Sequence, residues 1–201
     1  MKSFYFIFNR ILAFLLLFLL SPFFILIIII IKITSSGPVI FKQQRVGHNG
    51  KIFLIYKFRT MVKNAEYLKK KYTYMNHAEK PVFKIRNDPR FVGCGRFLSD
   101  NHLDELPQFF NVLKGEMLIV GYRPPILDEV KQYSKKYLKR FNGYPGITSL
   151  WAIQGGHERF TFSQWIKSDI EYEKKRSLLS DVKIILKTFK LFFKYFNKRK
   201  Y

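Results

Sequence analysis

Apolar residues are most concentrated near the N-terminus, where the segment from Ile11 to Ile31 contains no charged residue. A straight helix of this length extends roughly 30 Å, which matches the hydrocarbon core of a bilayer. Ser21-Pro22 interrupts the segment, and a proline inside a helix removes one hydrogen bond and bends the axis. Residues 1–36 are therefore predicted to form a kinked membrane helix. The pattern alone fits both a simple span and a return to the same leaflet.

The pattern changes after residue 36, and residues 37–201 are predicted to form one membrane-associated domain of the α+β class. Asn49-Gly50 is the strongest short signal for a β-hairpin, and apolar stretches flank it. The predicted strands are Val39–Phe41 and Ile52–Phe58. The other predicted elements are helices over Val62–Tyr74, Asp104–Leu113 and Pro125–Phe141, irregular structure over most of Asn76–Cys94, and a turn at Tyr144-Pro145-Gly146.

The C-terminal segment has the periodicity of an amphipathic helix. Apolar residues from Leu178 to Phe196 recur at helical spacing, and the opposite side carries Lys183, Lys187, Lys190 and Lys194. Such a helix either packs against the core with its lysines in water, or lies in the membrane interface with its phenylalanines in the acyl region. Because the N-terminal segment is already predicted to enter the membrane, the interfacial arrangement is favoured.

Charge narrows the range of partners. The chain carries 36 Lys and Arg against 14 Asp and Glu, and this net charge of +22 favours nucleic acid, phosphorylated small molecules or an anionic membrane. No nucleic-acid-binding motif accompanies the charge. Lys2, Arg10 and Lys32 flank the apolar segment, and cytoplasmic flanks are the basic ones. The basic remainder of the chain is therefore expected at the cytoplasmic face of the membrane.

Two adjacent carboxylates are the clearest candidates for chemistry. Asp104 and Glu105 precede Pro107, which is well tolerated in the first turn of a helix, so the pair is predicted at a helix N-terminus. Free N–H groups there favour the ionised carboxylate and also attract phosphate. An ionised aspartate beside a phosphate can attack phosphorus and form an acyl phosphate. Acidic residues in a first turn are also common simply because they stabilise the helix.

Cations in other motifs suit a diphosphate substrate. Lys57 and Arg59 end a predicted strand, and Arg123 precedes a predicted helix. Fixed cations neutralise a leaving phosphate and let a carboxylate approach phosphorus. The alternative is that these residues belong to a solvated basic surface.

The order of these motifs resembles that of the bacterial sugar transferases, the small monotopic phosphoglycosyl transferases that act on polyprenyl phosphate. The resemblance covers nearly the whole chain, beginning with Ser21-Pro22 in the apolar segment. The other motifs are Arg45-Val46-Gly47, KFRTM at 57–61, LDELPQ at 103–108, NVLKGEM at 111–117, VGYRP at 120–124, PGITSLW at 145–151, and the tail with Asp169, Tyr172 and Asp181.

The resemblance implies an enzyme at the cytoplasmic face of the bacterial inner membrane, with a re-entrant helix bent at Ser21-Pro22. Asp104 would attack the β-phosphate of a UDP-sugar, release UMP and hold the phosphosugar. A polyprenyl phosphate such as undecaprenyl phosphate would then accept it, in the first membrane step of surface glycan synthesis. Glu105 would assist catalysis, and Asp104 and Glu105 together would hold Mg²⁺.

The resemblance also assigns supporting residues. The sequence departs from the family pattern at two other positions. Ser99 and His157 stand where the family usually has arginine. Asp169 matches an acidic position of the family and is a candidate substrate contact. The candidate phosphate contacts are Lys57, Arg59, Arg123 and, three residues before Ser99, Arg96. With two arginines displaced, an inactive relative that acts as a membrane-tethered binding or scaffold protein is the alternative.

Overall fold

The computed structural model describes residues 2–156 and 159–198, and it confirms an α+β architecture. The helices within this part are α1 (Lys2–Leu19), α2 (Ser21–Thr34), α3 (Ala65–Lys71), α4 (Gly95–Asp100), α5 (Gln108–Lys114), α6 (Leu127–Val130), α7 (Lys135–Leu138), α8 (Phe162–Lys175) and α9 (Leu178–Lys198). The strands are β1 (Ile40–Val46), β2 (Ile52–Phe58), β3 (Leu118–Val120) and β4 (Gly146–Thr148).

The N-terminal segment is bent where the sequence predicted a kink. The axes of α1 and α2 differ in direction by 61°. Within the described ranges, neither helix alone has the length and hydropathy to cross a bilayer, whereas the bent pair has both. Pro22 has no N–H to offer the carbonyl of Phe18, and the Ser21 hydroxyl donates to that carbonyl instead, at 2.8 Å. Ser21 thereby satisfies the acceptor that the proline leaves open.

Both halves of the bent segment pack on the domain. Ala13 in α1 is fully buried in the cluster around α5 and β3, and Ile27 and Ile31 in α2 are buried in a second cluster. Asn9 is buried as well, and its side-chain oxygen accepts the backbone N–H of Ile119 at 2.9 Å. The N-terminal segment is therefore part of the fold, because it completes two cores and pairs a buried donor of β3.

The predicted hairpin is confirmed. Strands β1 and β2 pair antiparallel from Ile40↔Phe58 to Val46↔Ile52, so β1 extends well beyond the predicted Phe41. Asn49 and Gly50 both have positive φ, at 53° and 75°, which is the geometry that favours Asn-Gly in hairpin connections. The register places Arg45, Gln43 and Phe41 on the same face as Lys57, because directly opposite side chains share a face.

The prediction of a turn at Tyr144-Pro145-Gly146 was wrong. Gly146 begins β4, which pairs in parallel with β3 to form a second two-stranded sheet. The strands approach closely, since a Cβ on Gly146 would lie 2.0 Å from the backbone nitrogen of Gly121. Parallel pairing brings together segments that are distant in sequence, so no local signal marked this sheet.

Three helix predictions require correction. The helix predicted over Val62–Tyr74 is confined to α3 and a 3₁₀ turn, and the one over Pro125–Phe141 divides into α6, α7 and a 3₁₀ turn because Ser134 is extended. The helix predicted from Asp104 begins only at Gln108. Helix α8 was not predicted, although Thr161 and Gln164 form a capping box. Residues 76–94 are irregular, as predicted.

Helix α9 packs against the domain on one face and exposes apolar side chains on another, and its location in the membrane interface stays a prediction. Asp181 and Ile184 are buried against the domain. A stripe of exposed apolar side chains runs along another face, formed by Leu179, Val182, Leu186 and Phe189. Lys183, Lys187 and Lys190 are exposed beside this stripe. The side chains beyond Phe192, including Lys194 and Phe196, lie outside the described part.

Candidate active site

The paired carboxylates lie in a tight turn between two helices. His102 adopts the left-handed conformation, with φ of 55°, and directs the chain into a 3₁₀ turn over Leu103–Glu105. The carbonyl of Leu103 accepts the N–H of Leu106, because Pro107, four residues on, has no N–H. The predicted location at an α-helix N-terminus was therefore wrong, and no long helix dipole acts on Asp104.

Packing against the N-terminal segment holds this turn in place. Leu103 is buried in the cluster that contains Ile27 and Ile31 of α2 and Phe58 at the end of β2. Asp104 directly follows Leu103 and is itself only 7% exposed. Packing of Leu103 against α2 therefore fixes the turn that carries the Asp104 carboxylate.

Lys57 joins the two carboxylates. Its Nζ lies 2.6 Å from Oε1 of Glu105 and 3.5 Å from Oδ2 of Asp104. Lys57 was predicted as a phosphate contact near the acidic pair, and the structure places its ammonium beside both carboxylates. Both carboxylates therefore share one ammonium, with the shorter contact to Glu105.

This arrangement gives the two carboxylates different proton affinities. Burial raises the pKa of Asp104 to about 6, and the nearby charge of Glu105 acts in the same direction against the attraction of Lys57. Burial also acts to raise the pKa of Glu105, but the closer Lys57 ammonium outweighs it and holds that pKa well below its usual value. Asp104 consequently ionises near neutral pH, while Glu105 stays charged.

Arg123 is a second cation whose charge acts on Glu105 of the acidic pair. It forms an ion pair with Glu129 at 3.1 Å, and its charge contributes to the lowered pKa of Glu105. Three donors hold the loop in which Arg123 lies. The carbonyl oxygen of Arg123 accepts from Nη2 of Arg140 at 3.2 Å. The carbonyl oxygen of Pro124 accepts from Nη1 of Arg45 at 2.8 Å. The carbonyl oxygen of Pro125 accepts from the N–H of Val46 at 3.0 Å.

Arg45 is the site residue that the sequence reasoning missed as a functional group. It is half-buried on the Lys57 face of the hairpin, and the charges of Arg123, Glu129 and Glu105 all act on it. Counting residues outward from the Asn49-Gly50 turn places Arg45 opposite Phe53 and on the face of Lys57. That alternation was the available signal.

Arg59 and Arg96, both predicted as phosphate contacts, lie away from Asp104 and Glu105. Arg59 is buried, and its guanidinium donates to the carbonyl oxygens of Ser35 and Ser36 and to the Ser35 hydroxyl, just after α2 ends. Arg96 is exposed on α4 and donates to Asn87 at 3.4 Å. The geometry gives Arg59 a role in securing the end of α2, and it gives Arg96 no contact with the carboxylates.

Asp169 is buried in an ion pair, with its Oδ2 2.6 Å from Nη2 of Arg140. The same guanidinium nitrogen donates to the Arg123 carbonyl. Asp169 therefore supports the Arg123 loop through Arg140, and its predicted substrate contact stays a prediction. His157, the second displaced arginine position, lies outside the described residues.

Asp104 and Glu105 suit a magnesium ion that binds together with a phosphorylated substrate. Within the described ranges, no group of three or more Asp, Glu, His or Cys side chains is placed to hold a metal. Mg²⁺ is commonly held by one or two carboxylates together with substrate phosphates and water. Asp104 and Glu105 supply such a pair, so the donor set suits an ion that arrives with a diphosphate.

Comparisons with known proteins agree with the phosphate chemistry that the residues of the site suggest. A family model described as bacterial sugar transferase matches residues 2–195. The galactosyl transferase CpsE of Streptococcus agalactiae serotype III (strain NEM316) is 45% identical over 157 residues, which are 78% of this chain and 35% of CpsE. The exopolysaccharide production protein ExoY of Sinorhizobium fredii (strain NBRC 101917 / NGR234) is 35% identical over 185 residues, 90% of this chain and 81% of ExoY.

The undecaprenyl-phosphate galactose phosphotransferase of Salmonella typhimurium (strain LT2) is 37% identical over 198 residues, 92% of this chain and 39% of that protein. The chain thus spans little more than a third of CpsE and of the Salmonella protein, and most of ExoY. Because the family model matches almost from end to end and includes the turn that carries both carboxylates, the chain belongs to the bacterial sugar transferase family.

Proposed function

We propose that the chain transfers a sugar 1-phosphate from a UDP-sugar to a polyprenyl phosphate, with Asp104 as the nucleophile. The observation that carries the proposal is the burial of Asp104 beside Glu105 and Lys57, in a turn packed on the bent N-terminal helices. The name of the Salmonella relative describes the same kind of transfer to undecaprenyl phosphate.

The chemistry proceeds in two displacements at one phosphorus atom. A carboxylate oxygen of Asp104 attacks the β-phosphorus, and the bond from that phosphorus to the bridging oxygen breaks, so that UMP leaves with the electron pair. A phosphate oxygen of the polyprenyl phosphate then attacks the same phosphorus and releases the carboxylate. Neither step requires a net proton transfer, and the sugar keeps its bond to the phosphate throughout.

The exposed apolar surface supports a membrane location for the second step. Phe18, Leu19 and Ile33 at the bend and the end of the N-terminal pair are 76%, 73% and 79% exposed. Large exposed apolar patches mark contacts with lipid or protein. We propose that α1 and α2 enter and leave the same leaflet at the cytoplasmic face of the inner membrane, and that the exposed stripe of α9 lies in the interface. A lipid phosphate at the headgroup level would then be available to Asp104.

Mg²⁺ is part of this proposal. Asp104 and Glu105 would hold it, and the ion would screen the repulsion between these carboxylates and the incoming diphosphate. Lys57 keeps Glu105 ionised, so that a charged oxygen ligand is available across the physiological pH range. Removal of Mg²⁺ with a chelator should abolish UMP release, and restoration of Mg²⁺ should recover it.

The test is the release of UMP in the absence of any lipid acceptor. The protein in detergent or nanodiscs is incubated with a panel of UDP-sugars, and UMP and the intact protein mass are measured. With the correct sugar, wild-type protein should release about one UMP per active site and gain the mass of one phosphosugar, whereas Asp104→Asn should do neither. UMP release that strictly requires the acceptor would contradict a covalent intermediate.

The same variant separates an enzyme from a scaffold. A membrane-tethered binding protein would keep its function in Asp104→Asn, because the substitution leaves the basic surface and the bent helices unchanged. Asp104→Asn should therefore restore glycan synthesis in a deletion strain only if the protein is a scaffold. Loss of synthesis with normal membrane abundance supports the transferase.

A further inference from the structure

Arg45 is placed among the charges of the candidate site without a carboxylate of its own. Asp104 and Glu105 share Lys57, and Glu129 pairs with Arg123. In the part of the chain that the structure describes, no ion pair includes Arg45. A cation that is half-buried and unpaired is unfavourable, because burial removes water without supplying an anion.

The neighbouring guanidinium increases this cost. Burial lowers the pKa of Arg45 to about 10, and the positive charge of Arg123 acts in the same direction. Glu129 and Glu105 oppose the shift without cancelling it. Arg45 Nη1 reaches the carbonyl of Pro124, the residue after Arg123, so two guanidinium groups lie close in the fold while Glu129 pairs with Arg123. Such a pair of cations is a place where a further anion would be stabilised.

The hydrogen bonds of Arg45 leave donors for such an anion. A guanidinium carries five N–H donors. Nη1 of Arg45 donates to the carbonyl of Pro124 and Nη2 donates to Oε1 of Gln43, while the buried Nε has no hydrogen-bond partner among the described residues. These bonds use one N–H of each terminal nitrogen, so further donors of the guanidinium remain.

A purely structural role does not account for these features. Strand β1 is already tied to the same loop by the bond from the Val46 N–H to the Pro125 carbonyl. The bonds to Pro124 and Gln43 involve neutral acceptors, which a neutral side-chain amide would also satisfy. Among the described residues, the charge of Arg45 has no ion-pair partner.

From this geometry we infer that Arg45 and Arg123 bind the phosphate of the leaving nucleotide, the α-phosphate of the UDP-sugar that departs in UMP. The inference rests on the proposed function and names the subsite used in its first displacement. Negative charge grows on this phosphate as the bond to the β-phosphorus breaks, so two fixed guanidinium groups would stabilise the transition state as well as the product. The second displacement, in which UMP takes no part, does not use the subsite.

The experiment measures equilibrium binding of UMP to full-length protein in nanodiscs. Arg45→Gln removes the charge and keeps a side-chain donor for the Pro124 carbonyl, and Arg45→Met removes both. Lys42→Met is the matched control, because it removes one positive charge from an exposed position three residues earlier on the same strand. Both Arg45 variants should bind UMP roughly tenfold to hundredfold more weakly, the range for a lost hydrogen bond to a charged group, and the control should stay within about twofold.

A kinetic measurement distinguishes binding from folding. The phosphosugar intermediate is formed, freed of UMP and then mixed with polyprenyl phosphate. Arg45→Gln should transfer the phosphosugar at the wild-type rate, although it forms the intermediate slowly. Equal slowing of both displacements, or a folded Arg45→Gln that binds UMP as tightly as wild type does, would overturn the inference. If the wild type binds UMP through Arg45 but forms no intermediate with any UDP-sugar, the proposed function fails and the subsite stands.

Discussion

Substitution of Lys57 by methionine should change the pH at which the enzyme works. Lys57 is the ammonium shared by both carboxylates, 2.6 Å from Glu105 and 3.5 Å from Asp104. Methionine has a similar length and no charge, so the change removes the attraction and leaves the packing nearly intact. Asp104, whose pKa is already raised to about 6, then loses the attraction that opposes this shift, and Glu105 loses the ammonium that holds its own pKa low.

The expected magnitude follows from the loss of one close opposite charge, which ordinarily lowers a carboxyl pKa by roughly 1–3 units. A loss of two units would move the pKa of Asp104 from about 6 to about 8. Each unit corresponds to about 1.4 kcal/mol, so ionising the nucleophile becomes harder by roughly 3 kcal/mol. At pH 7 the ionised fraction falls from about nine-tenths to about one-tenth, and the first displacement slows about tenfold.

The sign of the pH effect makes this measurable. Only the ionised form of Asp104 attacks, so the rate of UMP release rises with pH through the pKa of Asp104 in both proteins. The assay is single-turnover UMP release from pH 5 to pH 9.5 at one fixed, subsaturating Mg²⁺ concentration, without acceptor, with Lys51→Met as the control at an exposed position of the same hairpin. Lys57→Met should lag at pH 7 and approach the wild-type rate at pH 9. An equal loss at every pH would refute the reasoning and place the ammonium on the substrate.

Three further substitutions test the framework around the site. Pro22→Leu restores a backbone donor at the bend, so the segment should straighten, and labelling of the two ends should shift from one side of the membrane towards both. Asn9→Ala leaves the buried N–H of Ile119 unpaired and should lower the free energy of unfolding by about 1–3 kcal/mol, measured by thermal denaturation in detergent. Gly95→Ala should prevent folding, because its Cβ would lie 1.8 Å from the carbonyl oxygen of Thr60, and the measure is the yield of monodisperse protein.

Two of these substitutions have a matched comparison. Ser21→Ala keeps the proline, so it should preserve the bend while leaving the Phe18 carbonyl open. Gly50→Ala adds a Cβ that meets nothing within 4 Å, and its positive φ should destabilise the protein only modestly. Unaltered topology in Pro22→Leu would mean that packing of Ala13 and Ile27, and not the proline, causes the bend.

Asp104 shows what the spacing of residues in a motif can predict and what it cannot. LDELPQ identified the two carboxylates and the proline correctly, yet the same letters suggested a helix start that would have lowered the pKa of Asp104. The turn is 3₁₀, and burial with Glu105 nearby raises that pKa instead. Burial depends on Leu103 packing against α2, a segment some seventy residues earlier in the chain, and no local pattern reports that contact.

For the basic residues too, the sequence alone did not identify which ones lie at the site. By sequence, Arg59 was as good a candidate as Arg123, because both are cations in motifs of the family resemblance, and Arg96 was a candidate because it lies three residues before Ser99. In the structure Arg59 secures the end of α2, Arg96 faces solvent, and Arg123 lies with Arg45 at the site. Charge and residue type are properties of the sequence, whereas the anion that a cation meets is a property of the fold.

The sequence by itself determined the bend at Ser21-Pro22, the Asn49-Gly50 hairpin and the adjacent carboxylates, because each depends on residues that are close neighbours along the chain, and it indicated the family through the order of its motifs. Only the tertiary structure decided that β3 pairs with β4, that Lys57 is shared by two carboxylates and that Arg45 lies unpaired beside Arg123. These features arise where distant segments pack together and exclude water. That exclusion sets the strength of every charge interaction in the site.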